Sequence, residues 1–249
     1  MLGWVAWGNL AEDTRPDRAY STLDSSSEAE REVAGRLLQE GYAVLRSSAF
    51  RANLEALQDR HPVIYARPSE QEIDPKGVAA IIALEPAGSR FAPAQAMIVD
   101  DNGQALGAAG EGGATGRYSD VLITRGVLKA FGSPDVVDRS CAINVAAHEY
   151  SHTISLTPVG YRVAFADTNE VQRQIPNRRN PGTPVASYLI GAVAQCTWLE
   201  KQGRIGRSDV AACVEVFGAA AFSWARCGQF AGGEPVALRP GLAPAVAPL

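Results

Sequence analysis

The spacing of apolar residues predicts two helices near the start of the chain. They follow residues 1–27, which are polar after the first ten and which we expect to be a mobile lead-in. Ser27 can cap the first helix, because its hydroxyl and the Glu30 carboxylate have the spacing of a capping box. Gly41 is expected to end this helix. A second helix, ending near His61, is indicated by apolar residues three and four positions apart: Phe50, Leu54 and Leu57.

Short apolar runs between turn residues predict a small sheet in the next part of the chain. The expected strands cover residues 63–66, 78–84, 97–99 and 121–124. Residues 100–103 (DDNG) are a turn signal, so a hairpin is expected after the third strand. Residues 107–116 are rich in glycine but lack the G-K-[ST] of a phosphate loop, so we expect a flexible loop there, as a flap near a cleft.

A central helix is expected from residue 134 to about residue 155, with Ser133 as its cap and Pro134 in its first turn. Its apolar stripe has steps of four, three and four residues: Ile143, Ala147, Tyr150 and Ile154. His148 and His152 lie off this stripe. The pattern therefore predicts an amphipathic helix whose back packs in a core and whose histidines face a different space.

Two antiparallel helices, at residues 185–201 and 208–227, are expected after an irregular polar segment. Cys196 and Cys213 lie symmetrically about the turn between these helices, so they would face each other and could form a disulfide. The other two cysteines form a possible second pair: Cys141 and Cys227. Paired cysteines favour an oxidising compartment, and four buried free thiols are the alternative.

These elements predict an α+β fold in one domain over residues 28–227. Residues 28–157 are expected to hold a small mixed sheet and the central helix, and residues 158–227 to form a mostly helical part. Residues 228–249, rich in Gly, Pro and Ala, are expected to be a flexible tail.

Composition and charge narrow the possible partners. The chain has 249 residues, of which 46% are hydrophobic and 20% charged, and its net charge is −4. Without a basic patch we expect no nucleic-acid partner, and without an apolar run of about 18 residues we expect no membrane span. The first residues lack the basic region of a signal peptide. The protein is expected to be cytoplasmic, or periplasmic or secreted if a signal peptide is missing from this sequence.

The pentapeptide His148-Glu149-Tyr150-Ser151-His152 has the pattern H-E-x-x-H. On a helix, residues four apart share one face, so two imidazole nitrogens could reach one zinc ion at about 2.0 to 2.1 Å. Glu149 is rotated by about 100° from His148 and could take a proton from the attacking water without binding the metal. The alternative is that both histidines are hydrogen-bonded core or surface residues and Glu149 is a solvated charge.

Residues 145–153 (VAAHEYSHT) resemble the active-site helix of the zincin metallopeptidases, and the resemblance is confined to this helix and, loosely, to the order of elements. It implies a zincin-like fold, zinc bound by His148 and His152, Glu149 as general base, and hydrolysis of peptide bonds. It also implies a peptide or protein substrate lying as an added strand along the sheet, at residues 121–124. The longer metzincin pattern is absent, because no third histidine follows.

A catalytic zinc site needs a third protein ligand, and the resemblance implies a carboxylate after the motif. Asp167 is favoured because it lies fifteen residues past His152, with Glu170 next. Glu200 ranks third, because the middle of its helix carries Gln195 where an acid would be expected. Each of these acids could instead be a solvated surface residue.

Tyr161 and Tyr188 follow the motif and are candidates to donate a hydrogen bond to an oxyanion, although either could be a buried core residue. The predicted function is a zinc metallopeptidase. The rival is a non-catalytic zincin-like domain that binds a protein partner or a structural metal, and the blandest alternative is an accidental motif. Cleavage specificity and oligomeric state are left open.

Overall fold

A computed structural model describes residues 26–65, 73–84, 96–99, 107–111, 119–154, 165 and 184–217. The helices in these ranges are α1 (Glu28–Leu45), α2 (Ser48–Glu55), α3 (Pro75–Leu84), α4 (Arg125–Phe131), α5 (Val136–Thr153), α6 (Ala186–Lys201) and α7 (Val210–Phe217). The strands are β1 (Ala96–Val99), β2 (Gly107–Glu111) and β3 (Ser119–Thr124). The predicted lead-in up to residue 25, the tail and most of residues 155–183 lie outside the described residues.

The predicted capping box begins α1. Ser27 Oγ accepts a hydrogen bond from the Glu30 backbone N–H at 3.1 Å, and the Glu30 carboxylate accepts one from the Ser27 N–H at 2.7 Å. Glu30 also pairs with Arg125 at the start of α4, at 2.7 Å. The Ser27 backbone bond, followed by the Arg125 hydrogen bond, lowers the pKa of Glu30 to about 2. Glu30 therefore links the start of α1 to the start of α4, where the chain leaves β3.

Gly41 does not end α1 as predicted, because the helix continues to Leu45. A Cβ atom at Gly41 would lie 2.9 Å from the Cβ atom of Ala146 in α5. The glycine is therefore required by the close approach of two helices, and Arg46 is the C-cap instead.

We expect Gly41→Ala to destabilise the protein by about 1 to 2 kcal/mol, because α1 and α5 must separate to admit the new methyl group. The matched control is Gly35→Ala in the same helix, where a new Cβ atom would have no neighbouring atom within 4 Å. Gly35→Ala should stabilise the protein by about 0.5 to 1 kcal/mol through the lost backbone entropy of glycine. Urea unfolding measures both changes, and a Gly41→Ala variant as stable as Gly35→Ala would contradict the close approach.

Residues 78–84 form part of α3 and not the predicted buried strand. The Asp74 carboxylate accepts a hydrogen bond from the Gly77 N–H at 2.6 Å, and Pro75 occupies the first helical position. Within the helix Val78, Ala79 and Ile82 are buried, which is helical spacing. A short, continuously apolar run fits a strand and a helix equally well, and the start signal at Asp74 decides between them.

The three strands form one small sheet with the order β1-β3-β2. β1 runs parallel to β3, with Ala96 opposite Val121, and β2 runs antiparallel to β3, with Gly107 opposite Ile123. The predicted hairpin after β1 is therefore wrong, since β1 and β2 each pair with β3. The expected glycine-rich loop is also wrong over Gly107–Glu111, which is β2.

The predicted α+β, zincin-like fold class is wrong, because the described residues are mostly helical. The strands are only four to six residues long. The described part of the predicted strand, residues 63–65, is not a strand: Ile64 makes an isolated bridge with Ile73, and Tyr65 makes one with Val185. The sequence overestimated the sheet because short apolar segments that pack against helices resemble strands.

The central helix α5 begins with Asp135 as N-cap, whose carboxylate accepts a hydrogen bond from the Val137 N–H at 2.7 Å. The four predicted stripe residues are at most 1% exposed, so this part of the prediction is confirmed. The amphipathic prediction is wrong, since His148 and Glu149 are each only 3% exposed. α5 packs against α1, α4, α6 and β2, and this packing encloses the motif.

Helix α6 is held on several sides. The expected disulfide joins Cys196 to Cys213 in α7, across the turn at Gly203, which has a φ of +67°. Trp198 Nε1 donates to a Glu40 carboxylate oxygen of α1 at 3.0 Å. No described helix combines the length and apolarity needed to cross a membrane.

Candidate metal and catalytic site

The H-E-x-x-H motif lies near the C-terminal end of α5, which continues to Thr153. His148 and His152 are therefore on one unbroken helix with the spacing that brings residues four apart to the same face. The His152 side chain lies outside the part of the chain that the structure describes. The backbone of the motif is thus helical, which is what a shared metal site for two histidines four residues apart requires.

His148 and Glu149 are buried together. The His148 Nε2 atom lies 3.9 Å from Glu149 Oε1. Ser151 is also buried, and its hydroxyl donates a hydrogen bond to the His148 backbone carbonyl at 2.6 Å. Burying a carboxylate is costly, so a buried Glu149 is a specific feature of this fold. The alternative in which Glu149 is a solvated charge is therefore wrong.

Of the two tyrosines considered as oxyanion donors, the structure places Tyr188 beside the motif. Its ring centroid lies 4.8 Å from that of His148, with 48° between the ring planes. Tyr188 is partly exposed at the start of α6 and packs with Tyr65 and Val185 in a small apolar cluster separate from the main core. Tyr161 lies outside the described residues.

Gly191 is a site residue that the sequence reasoning missed. A Cβ atom there would lie 3.0 Å from the Asn144 carbonyl oxygen and 3.2 Å from the His148 Cβ atom, and it would overlap the Asn144 side-chain oxygen. α6 can pass this close to His148 only because position 191 has no side chain. An isolated glycine inside an apolar helix was the available signal.

The carboxylate Glu200, third among the possible ligands, lies away from the motif. It accepts a hydrogen bond from the Asn53 amide of α2 at 2.8 Å. It is twelve residues past Tyr188, about 18 Å along a helix axis. Tyr188 and Gly191 of α6 lie against His148, whereas Glu200 is bonded to Asn53, so a third ligand would come from another segment.

The two preferred ligands, Asp167 and Glu170, lie outside the described residues. Among the described residues, no group of three His, Cys, Asp or Glu side chains is close enough to hold a metal ion. The imidazole of His148 and the i, i+4 spacing to His152 nevertheless suit zinc, which prefers nitrogen, sulfur and carboxylate donors. The residue types and the backbone spacing are therefore compatible with zinc, and the zinc site with its third ligand stays a prediction.

Cys141 is not available as a metal ligand, because it is disulfide-bonded. Its sulfur accepts a hydrogen bond from Gln195 Nε2 at 3.4 Å. Its predicted partner, Cys227, lies outside the described residues. The Cys141 side chain belongs to the buried contact between α5 and α6.

The motif tyrosine, Tyr150, is a core residue. Its side chain is 1% exposed, and its ring centroid lies 6.0 Å from that of Tyr42 in α1. Burial, with the neighbouring Tyr42 phenol, raises the pKa of Tyr150 well above its usual range. Tyr150 therefore stays neutral, and its role is to anchor α5 in the core.

The strand that was expected to bind a substrate peptide is the central strand of the sheet. β3 contains residues 121–124 and pairs on both sides, with β1 and with β2. A substrate peptide cannot add to a strand that is already central. The predicted placement of a peptide along this strand is therefore wrong.

No family model, curated protein or solved structure matches this chain.

Proposed function

We propose that this protein is a zinc-dependent peptidase in which Glu149 is the general base. The observation that carries the proposal is the placement of a buried His148 and Glu149 side by side on a helix whose next turn carries His152. A surface motif that arose by accident would have no reason to be enclosed in this way, because buried ionisable side chains are costly.

His148 and His152 would hold the metal through their imidazole nitrogens. A bound zinc ion would supply Lewis acidity toward a substrate carbonyl and a nearby water molecule. Glu149 accepts a proton from the attacking water and then delivers it to the leaving amine. The surrounding core excludes bulk water, so the charges that act in the reaction are weakly screened.

Tyr188 is the tyrosine that would stabilise the developing oxyanion. Its ring lies beside the His148 ring, and its side chain is partly exposed. A tyrosine hydroxyl directed at the oxyanion lowers the barrier because its hydrogen bond strengthens as negative charge develops. Tyr188 would therefore be the oxyanion donor that the sequence suggested only from its residue type.

We expect a chelator to remove hydrolysis of a mixed peptide library by the purified protein, and added zinc to restore it. The reason is that without the metal neither the carbonyl nor the water is activated. Mass spectrometry of the library before and after incubation measures cleavage. Activity that survives complete removal of metal would contradict the proposal, and a zinc-loaded protein that cleaves nothing would favour the non-catalytic rival.

A further inference from the structure

We propose that Ser140, Asn144 and Gln195 form an interhelical clamp that positions Tyr188 against His148. The clamp is a set of positioning residues, because it acts on the site through the placement of α6 relative to α5. The use of this arrangement in catalysis rests on the proposed peptidase function. The geometric claim concerns α5 and α6 and is tested independently of any metal.

The clamp is a buried hydrogen-bond chain between the two helices. The Asn144 amide N–H donates to Gln195 Oε1 at 2.7 Å, and Gln195 Nε2 donates to Ser140 Oγ at 2.9 Å. Ser140 in turn donates to the Val137 backbone carbonyl at 2.7 Å. Asn144 is 7% exposed, and both Gln195 and Ser140 are fully buried.

α5 and α6 pack in antiparallel directions, so the clamp and the contact of Tyr188 with His148 lie along the same helix pair. Gln195 contacts Asn144, Gly191 lies against Asn144 and His148, and Tyr188 contacts His148. Gln195 and Tyr188 are seven residues apart, about two turns on α6. A shift of α6 that broke the hydrogen bonds of Gln195 would also move Tyr188 relative to His148.

The hydrogen bonds of the clamp add directional constraints to the packing of α6 on α5. Gly191 has no side chain, and the Asn144 side-chain oxygen occupies the space that a Cβ atom there would fill. Hydrogen bonds between buried amides are directional, and a buried amide left unsatisfied is costly. The clamp therefore selects one axial position of α6.

Histidine NMR of the full chain, without metal, tests the geometry. The protein has three histidines, so selective ¹³C labelling gives three ring signals, and the one lost in His148→Ala is assigned to His148. The Tyr188 ring shifts this signal by its ring current, and Tyr188→Leu should remove that shift. We expect Gln195→Met to move the His148 signal in the same direction as Tyr188→Leu.

The matched control is Thr197→Val, two residues away on α6. Thr197 is buried and accepts a hydrogen bond from Asn53 at 3.1 Å, so the variant also loses a buried hydrogen bond, but on the side of α6 that faces α2. Thr197→Val should leave the His148 signal in place. Ser140→Ala removes the hydrogen bond from Gln195 Nε2 and should move the His148 signal by a smaller amount. This variant tests the clamp if Gln195→Met does not fold.

Zinc titration in competition with a chelator provides the second readout. We expect Gln195→Met to weaken zinc binding about tenfold, as for other groups that orient a metal ligand from behind, and Thr197→Val to leave it unchanged. An unmoved His148 signal in folded Gln195→Met and Ser140→Ala overturns the clamp, and an unchanged zinc affinity overturns its use in metal binding. A wild-type protein that binds no zinc overturns the proposed function instead, and the NMR comparison then still decides the clamp.

Discussion

Glu149→Gln should lower peptide hydrolysis by about 10²- to 10⁴-fold while the protein stays folded and keeps its zinc. The amide has nearly the same size as the carboxylate but cannot accept the proton of the attacking water. Because Glu149 is 3% exposed, an isosteric change is the cleanest available, and neutralising a buried carboxylate should not destabilise the fold.

The control for this variant is Glu200→Gln on α6. This substitution also removes a carboxylate charge, but Glu200 accepts a hydrogen bond from Asn53 and lies far from His148. Its activity should match that of the wild type. Peptide turnover, zinc content and circular dichroism measured on both variants separate the loss of a base from the loss of fold. Undiminished hydrolysis by Glu149→Gln would rule out the assigned role.

Removing the disulfide in Cys196→Ser/Cys213→Ser should destabilise the protein by about 3 kcal/mol, because the bridge closes a loop of this length in the unfolded chain. The two cysteines are 17 residues apart in the sequence. Both side chains are buried between α6 and α7, so the hydroxyls also lose favourable packing. Urea unfolding of the double variant measures the change.

Unfolding of the wild type in the presence of a reducing agent is the matched comparison for this double variant. It should show a loss in the same direction and at least as large, since reduction removes this bridge together with the disulfide of Cys141. A double variant that unfolds within about 0.5 kcal/mol of the oxidised wild type would show that the bridge does not contribute to stability.

Local signals in the sequence predicted several elements correctly. The capping box at Ser27 depends on contacts within four residues, so it is readable from the sequence. The start of α5 was predicted two residues too early, because Asp135 and not Ser133 is its N-cap. The Cys196–Cys213 pair was predicted because two helices joined by a short turn must be antiparallel.

The errors arise where the answer depends on distant residues. Gly41 has the appearance of a helix stop, and only the approach of Ala146 from α5 explains why it lies within a helix. The run at residues 78–84 fits two structures by its own pattern, and its cap decides. His148 is buried where Tyr188 and Gly191 of α6 lie against it, so its own helix pattern could not predict its burial.

The candidate site was predictable in part. His148, Glu149 and His152 follow from one short pattern, and their helix is present. That Tyr188 rather than Gln195 lies beside His148 depends on the register of α6, which is set by the contacts of Asn144 and by Gly191. Register between two helices is a tertiary property, and a single sequence carries only weak signals of it.

The zinc content of the purified full chain can be measured by mass spectrometry after incubation with zinc and removal of the excess. We expect one zinc ion per chain in the wild type and almost none in His148→Ala and His152→Ala. His61→Ala is the control, since His61 contacts Glu215 at 3.0 Å and should not affect zinc binding. A wild type without zinc, or equal zinc in His148→Ala, would show that the motif is not a zinc site.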